Sequence, residues 1–201
     1  MSACAIALAL LLDASASIPM QQWRILVEGH AAAFESAEVR RAVRASGPVA
    51  VRAWHYSDVT RPLTPWRVLA TDADAYAYAR ELRAAERTLS ANTATGNAIL
   101  TALADFAASP CPDADRVIDV ATDGHENAGT PAAKARDAAI AAEVRVNVLA
   151  IETAEGDPEP FARENIVTPD GFVLRVTNWQ DVPRAIVRKI SLELAGATNG
   201  R

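Results

Sequence analysis

The chain opens on an unbroken apolar run, ACAIALALLL (residues 3–12), which stops abruptly at Asp13, Ser15 and Ser17. An apolar stretch of this length without alternation predicts a strand covered on both faces. From about Pro19 the pattern changes period: Trp23, Leu26, Val27, His30 and Phe34 recur at helical spacing. ESAEVRRAVR adds further helical turns, which Gly47-Pro48 ends. VAVRAWHYS (49–57) alternates and is rich in β-formers. WRVLAT (66–71) predicts a short antiparallel partner for it, because the connection is too short for a helical crossover.

The rest of the chain repeats the alternation. Helices are predicted at DADAYAYARELRAAE (72–86), NAILTALADFAAS (97–109), PAAKARDAAIAAE (131–143) and EPFARENIV. Strands are predicted at RVIDVAT (116–122), VRVNVLAIE (144–152) and GFVLRV, with a polar loop at SANTATG (90–96). A closing helix turns Trp179, Val182, Ile186, Ile190 and Leu194 inward. Such an order predicts an α/β fold: a doubly wound, mainly parallel central sheet with one antiparallel edge strand and helices on both faces. A chain of 201 residues reads as a single domain spanning 1–201. Ligands of such sheets sit at the carboxyl ends of the strands. Two predicted strands end there in an aspartate, Asp13 and Asp123.

Composition narrows the function classes. A formal net charge of -5 argues against a nucleic-acid partner. No apolar stretch is long enough for a membrane span. The first apolar run has the length of a secretory leader, and ASA resembles a cleavage site, but no Lys or Arg precedes it. It is read as a strand, and the expected location is the cytoplasm or an assembled particle, with secretion or the periplasm as the alternative. Cys4 and Cys111 have no metal-type spacing and read as buried thiols.

The candidate chemistry lies after the first strand. In an extended segment, side chains two apart point the same way, so Asp13, Ser15 and Ser17 are expected to converge. With Asp123 from TDG and Thr93 from NTATG they make an all-oxygen set that suits Mg²⁺, with Mn²⁺ or Ca²⁺ as substitutes. Thr95 is the alternative to Thr93. A helix N-cap role for Asp13 is the simpler competing reading. Asp119, inside a predicted strand, needs a buried partner, for which Arg116 or Arg136 is expected. His125 reads as a loop side chain at the rim. Catalysis is not expected: there is no G-x-S-x-G elbow. A phosphatase of the haloacid-dehalogenase type needs a second Asp where Ser15 stands.

The ordered elements D-x-S-x-S, Thr93 followed by Gly96, Ala98 and Ile99, and Thr122-Asp123-Gly124 resemble the metal-ion-dependent adhesion site of von Willebrand factor A domains. WRILVEGHAAAFESAEVRRAV, RVIDVATDGHENAG, ARDAAIAAEVRVNVLAI and PRAIVRKISLELAG are similar to a bacterial von Willebrand A-like family of unknown function, over about residues 3–195. Ala14 and Ala16 stand where many members carry Gly. The resemblance implies a Rossmann-like von Willebrand A fold and a Mg²⁺ held by Asp13, Ser15, Ser17, Thr93 and Asp123. It further implies an open metal position that accepts an Asp or Glu of a protein partner, in a binding module rather than an enzyme. The alternative is a structural or assembly subunit whose metal site is empty or only stabilising. The resemblance also implies that the strands carrying Asp13 and Asp123 are neighbours, which places Cys4 and Cys111 near the bottom of the sheet. A bridge there requires Pro110-Cys111-Pro112 to fold back under the first strand. A cytoplasmic protein keeps both thiols reduced, so free thiols are expected.

Overall fold

The structure, a computed structural model, describes residues 4–196. The first apolar run forms β1 (Ile6–Asp13), buried at every position. Two helices follow, α1 (Met20–Glu35) and α2 (Ala37–Ser46). They are divided at Ser36, whose hydroxyl accepts the Val39 amide and starts the second helix. Next come β2 (Val49–Tyr56) and two three-residue strands, β3 (Thr60–Pro62) and β4 (Arg67–Leu69). α3 (Asp72–Ala84) opens with a capping box between Thr71 and Asp74. α4 (Thr95–Asp105) leads through a 3-10 turn to β5 (Asp115–Thr122). Then come α5 (Ala132–Ala141), β6 (Arg145–Ile151), α6 (Glu159–Asn165) and β7 (Val173–Val176). α7 (Val182–Gly196) closes the described chain after a 3-10 turn at Trp179–Asp181.

The strands lie in the order β3-β2-β1-β5-β6-β7, and β4 also pairs with β2. β2, β1, β5, β6 and β7 are mutually parallel, whereas β3 and β4 run antiparallel to β2. The antiparallel edge is thus shared by two short strands. β3 pairs with the upper half of β2 and β4 with its lower half. Between them Leu63 and Thr64 both donate to the Ala53 carbonyl, so the edge detours there. β3 has only three residues, one of them proline, and carries no alternation by which it can be read from sequence.

The two faces of β1 differ in bulk. Ile6, Leu8, Leu10 and Leu12 pack against α1, α2, α3 and α7. Ala7, Ala9 and Leu11 face the alanine-rich helices α4, α5 and α6. Small residues there let helix and loop backbones approach closely. A Cβ at Gly96 would stand 2.0 Å from the Thr130 carbonyl oxygen.

At the amino end of the sheet, Cys4 and Cys111 form a disulfide with Cα atoms 5.7 Å apart. This differs from the expected pair of thiols. Asp115 donates to the Ala5 carbonyl, and a turn closed from Ala114 to Cys111 folds the segment beneath β1. The bridge spans 107 residues of sequence, and a loop of that size is worth about 4–5 kcal/mol in the chain-entropy account.

Candidate metal site

β1 and β5 are neighbours, with Leu12 opposite Ala121. Asp13 therefore ends its strand beside Thr122, and Asp123 follows one residue on. Asp13 is fully buried, and both its oxygens are held. Oδ2 accepts from the Thr122 hydroxyl at 2.7 Å and Oδ1 from the Ser15 amide at 2.8 Å. The chain then turns, with the Ile18 amide donating to the Ser15 carbonyl. This turn brings Ser15 Oγ and Ser17 Oγ to 3.0 Å, and Ser17 donates to Asp123 Oδ1 at 2.8 Å. The expected convergence is present, but its cause is a tight turn rather than an extended segment.

Thr93 lies in the loop before α4 and is buried. Its amide donates to Asn127 Oδ1 at 2.8 Å, and its carbonyl accepts from the Asn127 and Ala128 amides. The same loop reaches the serine turn, where the Ala16 amide donates to the Ala91 carbonyl. Asp13, Ser15, Ser17 and Asp123 thus form one hydrogen-bonded set, and the loop carrying Thr93 is tied to both others. Among the described residues, the Thr93 hydroxyl makes no hydrogen bond to the set. Thr95 starts α4, fully buried, and neither its hydroxyl nor that of buried Tyr56 has a hydrogen-bond partner.

The electrostatics follow from burial. Loss of water raises the pKa of Asp13, against the pull of its Ser15 and Thr122 hydrogen bonds and of Arg87. Burial, then the charge of Asp13, pushes Asp123 up to about 6. Tyr56 is raised well above its ordinary value, first by burial and then by Asp13. Two carboxylates in a desolvated pocket with one guanidinium nearby leave negative charge that a hard cation would balance. No group of three or more His, Cys, Asp or Glu that could hold a metal ion by itself occurs among the described residues. A cation here would therefore be held by two carboxylates, hydroxyls and water, an oxygen set that fits a divalent ion.

Other candidates fall elsewhere. Asp119 pairs with neither Arg116 nor Arg136. Its partner is Lys189 of α7, at 2.6 Å, which also holds Glu193 at 2.8 Å. Both arginines have other partners: Arg116 donates to the Ala142 carbonyl, and Arg136 pairs with Asp137. His30 Nδ1 donates to the Leu26 carbonyl, and His55 contacts Thr88. His125 packs on Phe161, with ring centres 4.9 Å apart. Sequence reasoning missed Arg87, Asn127 and Tyr56. Only Asn127 had a signal, its position four residues past Asp123.

A family model described as Protein of unknown function (DUF1194) matches residues 3–198. No curated protein matches the chain. Among solved structures, proximal thread matrix protein 1 (PTMP1) of the mussel byssus superposes with a TM-score of 0.75 at 17% identity. The match covers 96% of this chain and 48% of that one, so this chain spans about half its length. Another PTMP1 structure, described as having a zinc-occupied MIDAS motif, matches with a TM-score of 0.71 at 13% identity, over 96% of this chain and 46% of that one. A von Willebrand factor type A structure from Catenulispora acidiphila gives 0.69 at 15% identity, covering 96% and 43%. BatB from Bacteroides thetaiotaomicron gives 0.64 at 21%, covering 95% and 99%. At these identities the likeness is one of fold, and the fold is of the von Willebrand A type.

Proposed function

The chain belongs to the DUF1194 family. From the geometry of the site we propose that it is a protein-binding module, one domain over residues 1–201, that works through a divalent cation. Mg²⁺, with Mn²⁺ or Ca²⁺ as substitutes, would be held by Asp13, Ser15, Ser17, Thr93 and Asp123. The cation supplies a concentrated positive charge that gives strength and direction to a small polar contact. An Asp or Glu of a partner protein would take the open position. The observation that carries this reading is the chain Ser15–Ser17–Asp123 beside Asp13: two buried carboxylates, from adjacent strands, linked through hydroxyls. The protein's own groups preorganise it. Thr122 and the Ser15 amide fix Asp13, and Asn127 fixes the backbone of Thr93.

The zinc-occupied motif described for PTMP1 supports a metal at this place in the fold. The disulfide favours an oxidising compartment, so the secreted or periplasmic placement is preferred to the cytoplasm. No described helix is long and apolar enough to cross a membrane.

A second reading, a structural or assembly subunit that needs no metal, is favoured by Ser17 donating to Asp123, which closes the polar set on itself. Titration with Mn²⁺, followed by water proton relaxation, separates the two. The binding module gives saturable binding and a relaxivity that falls when acetate is added. Absent binding, or equal binding by Asp123→Asn, overturns it in favour of the assembly role.

A further inference from the structure

Arg87 lies in the segment between α3 and α4, outside the oxygen set. Its guanidinium donates to four backbone carbonyls. Nη2 reaches Ala14 at 2.8 Å and Ser15 at 2.7 Å, Nη1 reaches Ile18 at 2.7 Å, and Nε reaches Leu89 at 2.8 Å. Its carbon centre stands 5.8 Å from the ring centre of Trp23, on α1. Three of the four acceptors belong to the turn that carries Ser15 and Ser17.

Four of the turn's amides have other partners. Ala14 donates to the Tyr56 carbonyl, Ser15 to Asp13 Oδ1, Ala16 to the Ala91 carbonyl and Ile18 to the Ser15 carbonyl. With carbonyls drawn to Arg87 and amides bonded to Tyr56, Ala91 and the turn itself, the Ser17 hydroxyl is left to donate to Asp123 and that of Ser15 to pair with Ser17. Only a guanidinium, a planar fork with five N–H donors, can span these carbonyls at once. A lysine places its donors on a single atom.

We propose that Arg87 is the positioning residue of this site, fixing from behind the turn whose hydroxyls and carboxylates face the cation; the proposal rests on the cation-binding reading above. Charge and geometry pull in opposite directions here. As a charge beside Asp13 and Asp123, Arg87 repels an incoming cation, so its removal would tighten binding. As a clamp, its removal loosens the turn and weakens binding. The sign of the change therefore identifies the role.

The test compares Arg87→Gln, Arg87→Lys and Arg24→Gln, the last removing a nearby exposed charge that touches no carbonyl of the turn. Mn²⁺ affinity is measured by electron paramagnetic resonance, and hydrogen exchange of residues 12–22 is measured in metal-free protein. Urea unfolding is run alongside. The expected result is about a 10- to 100-fold loss of Mn²⁺ affinity in both Arg87 variants, an altered bound-Mn²⁺ line shape, and faster exchange confined to the turn. Arg24→Gln stays as wild type. Unchanged affinity in Arg87→Lys, tighter binding in Arg87→Gln, or exchange that is unchanged or raised throughout the molecule overturns the proposal. If the wild-type protein binds no Mn²⁺, the cation reading falls, and the exchange data alone decide whether Arg87 shapes the turn.

Discussion

Lys189 of α7 and Asp119 of β5 meet at 2.6 Å, and each side chain is only 1% exposed. Lys189 also donates to Glu193, whose Oε1 takes a second bond from Asn147 at 3.0 Å. The contact to Asp119 lacks hydrogen-bond geometry, and Glu193 Oε2 has no donor. One buried cation thus lies between two buried carboxyl groups, with His30 close enough to feel both Asp119 and Lys189. Replacing Lys189 by Met should cost about 3–5 kcal/mol, because it leaves the buried Asp119 without its cation. Urea unfolding at neutral pH checks this, and a loss under about 1 kcal/mol refutes it.

The same cluster predicts a pH slope. Burial, then the charge of Asp119, pushes Glu193 up to about 8 from an ordinary value of 4.5. The folded state then keeps a proton that the unfolded chain has released, so stability from this group is full below about 4.5 and is lost as pH rises through about 8. His30 acts in the opposite sense: burial lowers its pKa, so its contribution is present above 6.5 and is lost as pH falls. Glu193→Gln should flatten the decline between pH 5 and 8 that Glu193 imposes. Unfolding free energies of wild type and variant measured across about pH 5–9 decide this, and parallel curves refute it.

Cation affinity should climb with pH until Asp123, raised to about 6, has given up its proton. Asp123→Asn should abolish Mn²⁺ binding while leaving the metal-free protein as stable as wild type or more so, since a charge repelling Asp13 is gone. Calorimetric titrations at several pH values, with thermal melts in EDTA, test both halves. A metal-free variant melting well below wild type contradicts the second.

The two threonines before α4 should separate cleanly. Thr93 is held by backbone bonds in the loop that joins the other two, whereas Thr95 buries a hydroxyl without a partner. Thr93→Ala should weaken Mn²⁺ binding with little effect on unfolding. Thr95→Val, which removes an unsatisfied buried hydroxyl at constant shape, should leave metal affinity alone and hold or raise stability. The reverse pattern moves the assignment by two residues, to Thr95.

What the sequence made legible was what is local. The apolar run before Asp13 and the helical period through Trp23, Leu26 and Phe34 each lie within a single element. The parallel order of the sheet follows from their alternation. Arg87 escaped because its four acceptors include three residues some seventy positions away, and a surface arginine looks the same from sequence whether or not it clamps a loop. Lys189 and Glu193 escaped because charges are expected on the wet side of a helix. They instead share the inward side of α7 with Ile186, Ile190 and Leu194. Sequence alone therefore points Asp119 to Arg116 or Arg136 rather than to Lys189.

The disulfide and the site lie at opposite ends of the same two strands, which gives the last prediction. Cys4 precedes β1 and Cys111 lies in the turn before β5, while at the far end Asp13 closes β1 and Asp123 follows β5. Between them runs an unbroken parallel ladder from Ile6–Asp115 to Leu12–Ala121, buried on both faces from Leu8–Val117 onward. The register of the site is set by that ladder and its packing, not by the bridge below it. Cutting the bridge chiefly returns freedom to the unfolded chain. The Cys4→Ser, Cys111→Ser double variant should therefore lose about 4–5 kcal/mol of unfolding free energy and retain the wild-type Mn²⁺ dissociation constant wherever it remains folded. Urea unfolding under non-reducing conditions reads the first effect, and metal titration at low temperature reads the second. A weakened cation affinity in the folded double variant would mean that β1 and β5 slide against each other without the bridge, contrary to a register held by the buried ladder.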